Sequence, residues 1–211
     1  TTNEVNVYAN SMQRCIATAN YFKTALFPVG DVKVNHRFVP SKMDPVFFPR
    51  ITKTSKSFKA QALKEIAAMG GKKGIVGINE DLKECYEITA KVLDLKNSPA
   101  CKQDNLCAFD NYNTQIILEK GDEPRMKGSL KDANTCSDAL ILQYYEEPDA
   151  KKAAFGHNIT LTDWTKIARI KDVYGDVLFA APTVAVNVAH PLLVYMYDEL
   201  SDKDRKLSFL C

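Results

Sequence analysis

Apolar residues recur along this chain at two spacings, and the helical one dominates. Tyr8, Met12, Cys15, Ala19, Phe22 and Leu26 follow one another in steps of four and three, which sets all six on one face of a helix over residues 8–26. Phe27-Pro28 and Gly30 end it. Residues 31–39 alternate Val32, Val34, His36 and Phe38 on one side, as a strand does. Pro40, Pro45 and Pro49 then impose an irregular stretch in which Phe47 and Phe48 turn inward. Residues 57–69 read as a helix with Phe58, Ala62, Leu63, Ile66 and Ala67 inside, stopped at Gly70-Gly71. Asn79-Glu80-Asp81 supplies a cap and first-turn acids for the next helix, with Leu82, Cys85, Tyr86, Thr89, Val92 and Leu93 facing inward.

Residues 113–120, NTQIILEK, read as a strand followed by an exposed loop, GDEPRMKGS. Residues 132–147 form a fourth helix on Cys136, Ala139, Leu140 and Tyr144. Thr160 or Thr162 caps a fifth, carrying Trp164, Ile167, Ala168 and Val173 and ending at Gly175. Between Asp176 and Asp198 lie 21 residues without formal charge. Pro182, Thr183, Asn187, His190 and Pro191 interrupt the run and its flanks are acidic, which argues against a membrane span. Val184, Val186 and Val188 alternate as a buried strand, and His190-Pro191 opens a last helix through Leu192, Leu193, Met196 and Leu200.

The pattern predicts a helix-rich α+β fold of about five or six helices and a few short strands, organised as a single globular domain over residues 1–211. A chain of 211 residues, 45% apolar and 26% charged, buries a substantial core without crosslinks. The six cysteines are therefore informative rather than obligatory. Cys15, Cys85 and Cys136 sit on helical stripes; Cys101 and Cys107 lie in a polar loop, and Cys211 is the last residue. An even number with three in loop or tail sequence predicts disulfides from helices to loops, up to three, and an oxidising compartment. The triplet beginning at Asn158 is an N-glycosylation acceptor. Together these point to a secreted, extracellular or lumenal protein whose signal peptide has been removed; a virion or cytosolic location is the alternative.

A net charge of +2 gives no reason to expect nucleic acid. Within Gly70–Gly77, GKKG resembles the GXXG loop of KH RNA-binding modules, but Gly70 replaces its apolar neighbour and stacking aromatics are missing. The same stretch lacks the Ser or Thr of a phosphate loop and follows a helix, so it reads as a helix stop and turn. No paired metal ligands occur, and no metal or cofactor is expected. His36, His157 and His190 are the candidate general bases, with His157 and Asp163 the pair closest to a hydrolytic arrangement. No nucleophile motif accompanies them. The sequence therefore points away from catalysis, to a binding protein that recognises a protein partner or carries a small apolar ligand. Its candidate binding surface is Lys53, Lys56, Lys59, Tyr144, Tyr145 and Trp164. A self-assembling coat or filament subunit, with residues 1–7 as an arm, is the alternative, and a secreted hydrolase the third reading.

Overall fold

The computed structural model describes residues 4–37 and 42–211. Along the chain run β1 (Val5–Tyr8), α1 (Gln13–Leu26), β2 (Val34–Asn35), α2 (Lys56–Ala68), α3 (Ile75–Asp81), α4 (Lys83–Val92), α5 (Pro99–Asp104), β3 (Gln115–Ile117), β4 (Arg125–Lys127), α6 (Ser129–Glu146), α7 (Ala150–Ala153), α8 (Leu161–Phe179), α9 (Pro182–Ser201) and β5 (Leu207–Leu210). The helix-rich class is as expected, with nine α-helices among the described residues instead of five or six. The surplus comes from short helices: α3 where a turn and a cap were expected, and α5 and α7 in stretches assigned to no helix. The residues fall into two compact units, Thr1–Arg50 with Val186–Cys211, and Ile51–Ala185.

The first unit is built on a parallel sheet in the order β2-β1-β5. Val7 pairs with Val34 on one side and with Phe209 on the other. The strand alternation of β1 sends Val5, Val7 and Ala9 to one face, where Cys15, Ile16 and Ala19 of α1 and Phe209 pack on them. Phe22 stacks on Phe209 with ring centroids 4.0 Å apart. Asn6 and Tyr8 face the other way. Asn6 donates to the Tyr195 hydroxyl of α9 at 2.9 Å, and the Tyr8 and Tyr195 rings lie 5.1 Å apart. Below them Glu199 takes hydrogen bonds from Ser208 at 2.6 Å and an ion pair from Arg205 at 3.0 Å.

Several expectations are corrected here. Tyr8 closes a strand instead of opening a helix, and Val5–Val7 form the centre of the sheet, not an arm; residues 1–3 lie outside the described residues. The strand over 31–39 shrinks to Val34–Asn35, and Phe38, Val39 and Pro40 lie outside the described residues. Residues 207–210, expected in no element, supply β5.

In the second unit α4, α6 and α8 pack together around Val92, Leu140, Ala153, Ala154, Trp164 and Ile167. The Thr160 hydroxyl accepts from the Asp163 N–H at 3.2 Å and the Asp163 carboxylate accepts from the Thr160 N–H at 2.8 Å, a complete capping box at the start of α8. That helix runs past Gly175 to Phe179. Asn79 is not a cap but a fully buried hub inside α3. Its amide donates to Ile75 O and Thr114 Oγ1 and its carbonyl accepts from Tyr86 OH at 2.9 Å. Residues 125–127, expected as loop, are β4, antiparallel to β3. A Cβ on Gly70 would lie 1.8 Å from Gly74 O, and one on Gly77 2.2 Å from Gly70 O, so the glycines of GGKKGIVG serve a tight backbone crossing.

The strand expected at Val184–Val188 is part of α9, which also contains His190 and Pro191 in its interior. Val184 and Val188 are buried while Val186 is 73% exposed, so the burial follows a spacing of four, not two. Glu65 of α2 accepts from the Thr183 N–H at 2.8 Å and hydroxyl at 2.7 Å in the first turn of α9, and these bonds lower its pKa. No single helix among the described residues is long and apolar enough to cross a membrane.

Candidate functional site

Parallel sheets place ligands beyond the carboxyl ends of their strands, because helix N-termini and loop ends converge there. In the first unit that rim begins at Ala9. Its N–H donates to Asn35 O at 2.9 Å and the next, Asn10 N–H, to Cys211 O at 2.6 Å, so the end of β1 is held to both neighbours. Two residues later the chain turns into α1. Met12 at its N-cap makes no side-chain capping bond, and no acid stands in the first turn. The first N–H groups of α1 therefore lack a capping partner, and the positive end of the helix dipole is not neutralised.

Arg14 stands in that first turn with its side chain exposed, and no carboxylate among the described residues pairs with it. Arg37 follows β2 at the same rim, two residues after Asn35, and His36 lies between them. The frame beneath is polar and tightly bonded. Asp44 is fully buried; its carboxylate accepts from Tyr8 OH at 2.7 Å, Arg37 N–H at 3.0 Å and Val46 N–H at 2.9 Å. Asp44 N–H donates to Asn10 Oδ1 at 3.0 Å, and Ser11 Oγ donates to Arg37 O at 2.8 Å. Burial, and then the bond to Asp44, push the Tyr8 phenol far above its ordinary pKa, so it remains a donor. The rim thus offers an exposed guanidinium and an uncapped helix end, which together suit a tetrahedral oxyanion.

The second unit holds a cavity of about 600 Å³ whose wall includes Tyr86, Lys91, Leu95, Phe109, Asp110 and His157. Glu87 and Asp94 share that wall with Lys83 and Lys96, so its charges are mixed and it favours an anion less than the rim does.

The residues singled out from sequence are dispersed. Lys53, Lys56 and Lys59 are exposed around the start of α2, and Asn158 is exposed before α8. Tyr145 is exposed, but Trp164 is buried to 5% and packs on Tyr144 with ring centroids 4.8 Å apart, so it is core and presents no binding surface. His157 and Asp163 do not assemble as a hydrolytic pair, because Asp163 is spent on the capping box. His190 is exposed on α9. Cys101 and Cys107 form a disulfide with each other, which corrects the expectation that these two pair with helix cysteines; Cys15, Cys85, Cys136 and Cys211 are thiols. Arg14, Arg37 and Asp44 were not anticipated: they meet through the parallel pairing of β1 with β2, which a local hydrophobic pattern does not display.

No family model matches the chain. It is 42% identical over 198 residues to the Glucose-1-phosphatase of Providencia rettgeri, covering 93% of this chain and 46% of that protein. With the Glucose-1-phosphatase of Salmonella typhimurium it is 36% identical over 201 residues, 95% of this chain and 47% of the other. The chain thus spans about half the length of the curated relatives it matches. Among solved structures, Hafnia alvei phytase in complex with tartrate superposes with a TM-score of 0.77 at 22% identity, over all of this chain and 54% of the phytase. The phytase of Citrobacter braakii gives 0.78 at 20% identity, over all of this chain and 54% of that one. The chain therefore has the fold of the matching part of these phytases. These findings correct the expectation of a non-catalytic binder with a protein partner or an apolar ligand: the relatives matched along nine-tenths of the chain are named as phosphatases.

Proposed function

We propose that this chain forms the phosphate-holding part of a phosphomonoester hydrolase whose substrates are sugar phosphates. The observation that carries the reading is Arg14 at the uncapped start of α1, on the carboxyl rim of a parallel sheet. The 42% identity to a Glucose-1-phosphatase supports sugar phosphates as the substrate class. Hydrolysis of a phosphate ester develops charge on the equatorial oxygens of the transferred group, and preorganised donors stabilise it. Arg14 would grip two of those oxygens and the first N–H groups of α1 a third. Ser11 serves as a positioning residue, since its hydroxyl is committed to Arg37 O. The disulfide Cys101–Cys107 supports work in an oxidising compartment.

Orthophosphate binding, followed by calorimetry at neutral pH, tests the site, and release of orthophosphate from glucose 1-phosphate tests the activity. Loss of the guanidinium in Arg14→Ala is expected to weaken orthophosphate binding about 10- to 100-fold, the value of one or two charge-assisted hydrogen bonds. Arg14→Lys is expected to recover part of the loss, because it keeps the charge without the bidentate fork. Unchanged binding in Arg14→Ala, or no binding by the wild-type chain, overturns the reading.

A further inference from the structure

Cys15 and Cys211 are at opposite ends of the sequence and together in the first unit. Cys211 directly follows β5 and is pinned to β1 on both sides of its peptide: its N–H donates to Tyr8 O at 3.0 Å, and its carbonyl accepts from Asn10 N–H at 2.6 Å. Cys15 is carried back over the same strand end by the turn into α1, with its N–H on Met12 O at 2.9 Å. Both side chains pack against the cluster of Val7, Ala9 and Ala19. Each is half-buried, and the Cys15 thiol is near enough to that of Cys211 to act on its ionisation. Cys85 and Cys136 lie instead on α4 and α6 of the second unit.

We propose that Cys15 and Cys211 are the two halves of a second disulfide, formed when the chain meets a disulfide oxidant. The thiolate of one cysteine attacks a sulfur of the oxidant, expelling one thiolate and leaving a mixed disulfide. The thiolate of the other attacks the protein sulfur of that bond and expels the second. The protein loses two protons and two electrons, and the oxidant disulfide becomes two thiols. Burial, and then the neighbouring Cys15 thiol, raise the pKa of Cys211, so exchange is slow in the packed protein and fastest while the unit folds. Once closed, the bond ties the first turn of α1 to the end of β5 and encloses nearly the whole chain. A loop of that size restricts the unfolded ensemble far more than the short Cys101–Cys107 loop does.

The test is refolding of the 211-residue chain in a buffer of reduced and oxidised glutathione, alkylation under denaturing conditions, and peptide mapping by mass spectrometry. Expected are alkylated Cys85 and Cys136, a peptide pair joined through Cys15 and Cys211, and a Tm roughly 5–10 °C above that of the reduced chain. In Cys15→Ser the joined peptides vanish, Cys211 alkylates, and the oxidation-dependent gain in Tm falls to the part owed to Cys101–Cys107. Alkylation of both Cys15 and Cys211 in wild-type material that has formed Cys101–Cys107 overturns the proposal, as does a stable glutathione adduct on either. The wild-type map decides even where the variant does not fold. None of these outcomes depends on what the rim binds.

Discussion

Asp44 carries more of the first unit than its place in a proline-rich stretch suggests. A fully buried carboxylate is tolerated because three donors meet it, from Tyr8, Arg37 and Val46, and because its own N–H is taken by Asn10. Removing the acceptor leaves those donors, two of them buried, without their partner. Asp44→Ala is therefore expected to lower stability by on the order of 3 kcal/mol, read as a fall in the urea midpoint at unchanged slope. A loss below about 0.5 kcal/mol would mean that the donors find other partners. Sequence does not single this residue out, since an Asp before Pro reads as a turn. Thr160 is the opposite case: its cap needs only Asp163, three residues on, and both are visible in the local pattern. The difference is one of sequence distance, because Asp44 acquires its role from Tyr8 and Asn10, more than thirty residues away.

Among the elements, those with one wet face and one dry face were legible. Helices α2, α6 and α8 were located to within a few residues, because each carries an apolar stripe at helical spacing along most of its length. The valine run of α9 was not, since spacings of two and four coincide along a short apolar stretch and burial alone separates them. Strand β5 was missed because LSFL has too few residues to display a period and is defined by its pairing with β1. The capping box of α8 gives an element-scale prediction with a pH signature. Bonds from the Thr160 N–H and hydroxyl lower the Asp163 pKa in the folded state. A depressed carboxylate stabilises the fold above its unfolded pKa and ceases to as pH falls through the folded value. Thr160→Ala should cost about 1 kcal/mol at neutral pH. Asp163→Asn should remove part of the acid-side fall in Tm below roughly pH 4, without altering the neutral to alkaline limb. An unchanged acid limb in Asp163→Asn would show that the box contributes nothing through ionisation.

At the scale of the whole molecule, the division into two units makes a prediction that the single tryptophan can test. Trp164 lies in the core of the second unit, so its fluorescence follows that unit alone. Far-UV circular dichroism follows the helices of both. The first unit is assembled from two segments distant in sequence, and its sheet has only three short strands, two of them at edges. Closing it costs more loop entropy for less buried surface than the continuous helical unit requires. On heating without an oxidant, the circular dichroism transition should therefore begin at a lower temperature than the Trp164 transition. Coincident transitions would instead mean that the chain unfolds as one cooperative body. Orthophosphate supplies a second axis to the same experiment. A ligand held by Arg14 stabilises the unit that contains it by mass action, so it should raise the early dichroism limb and leave the Trp164 midpoint nearly fixed. Phosphate that moved only the Trp164 midpoint would place the anion in the second unit and remove the rim from consideration.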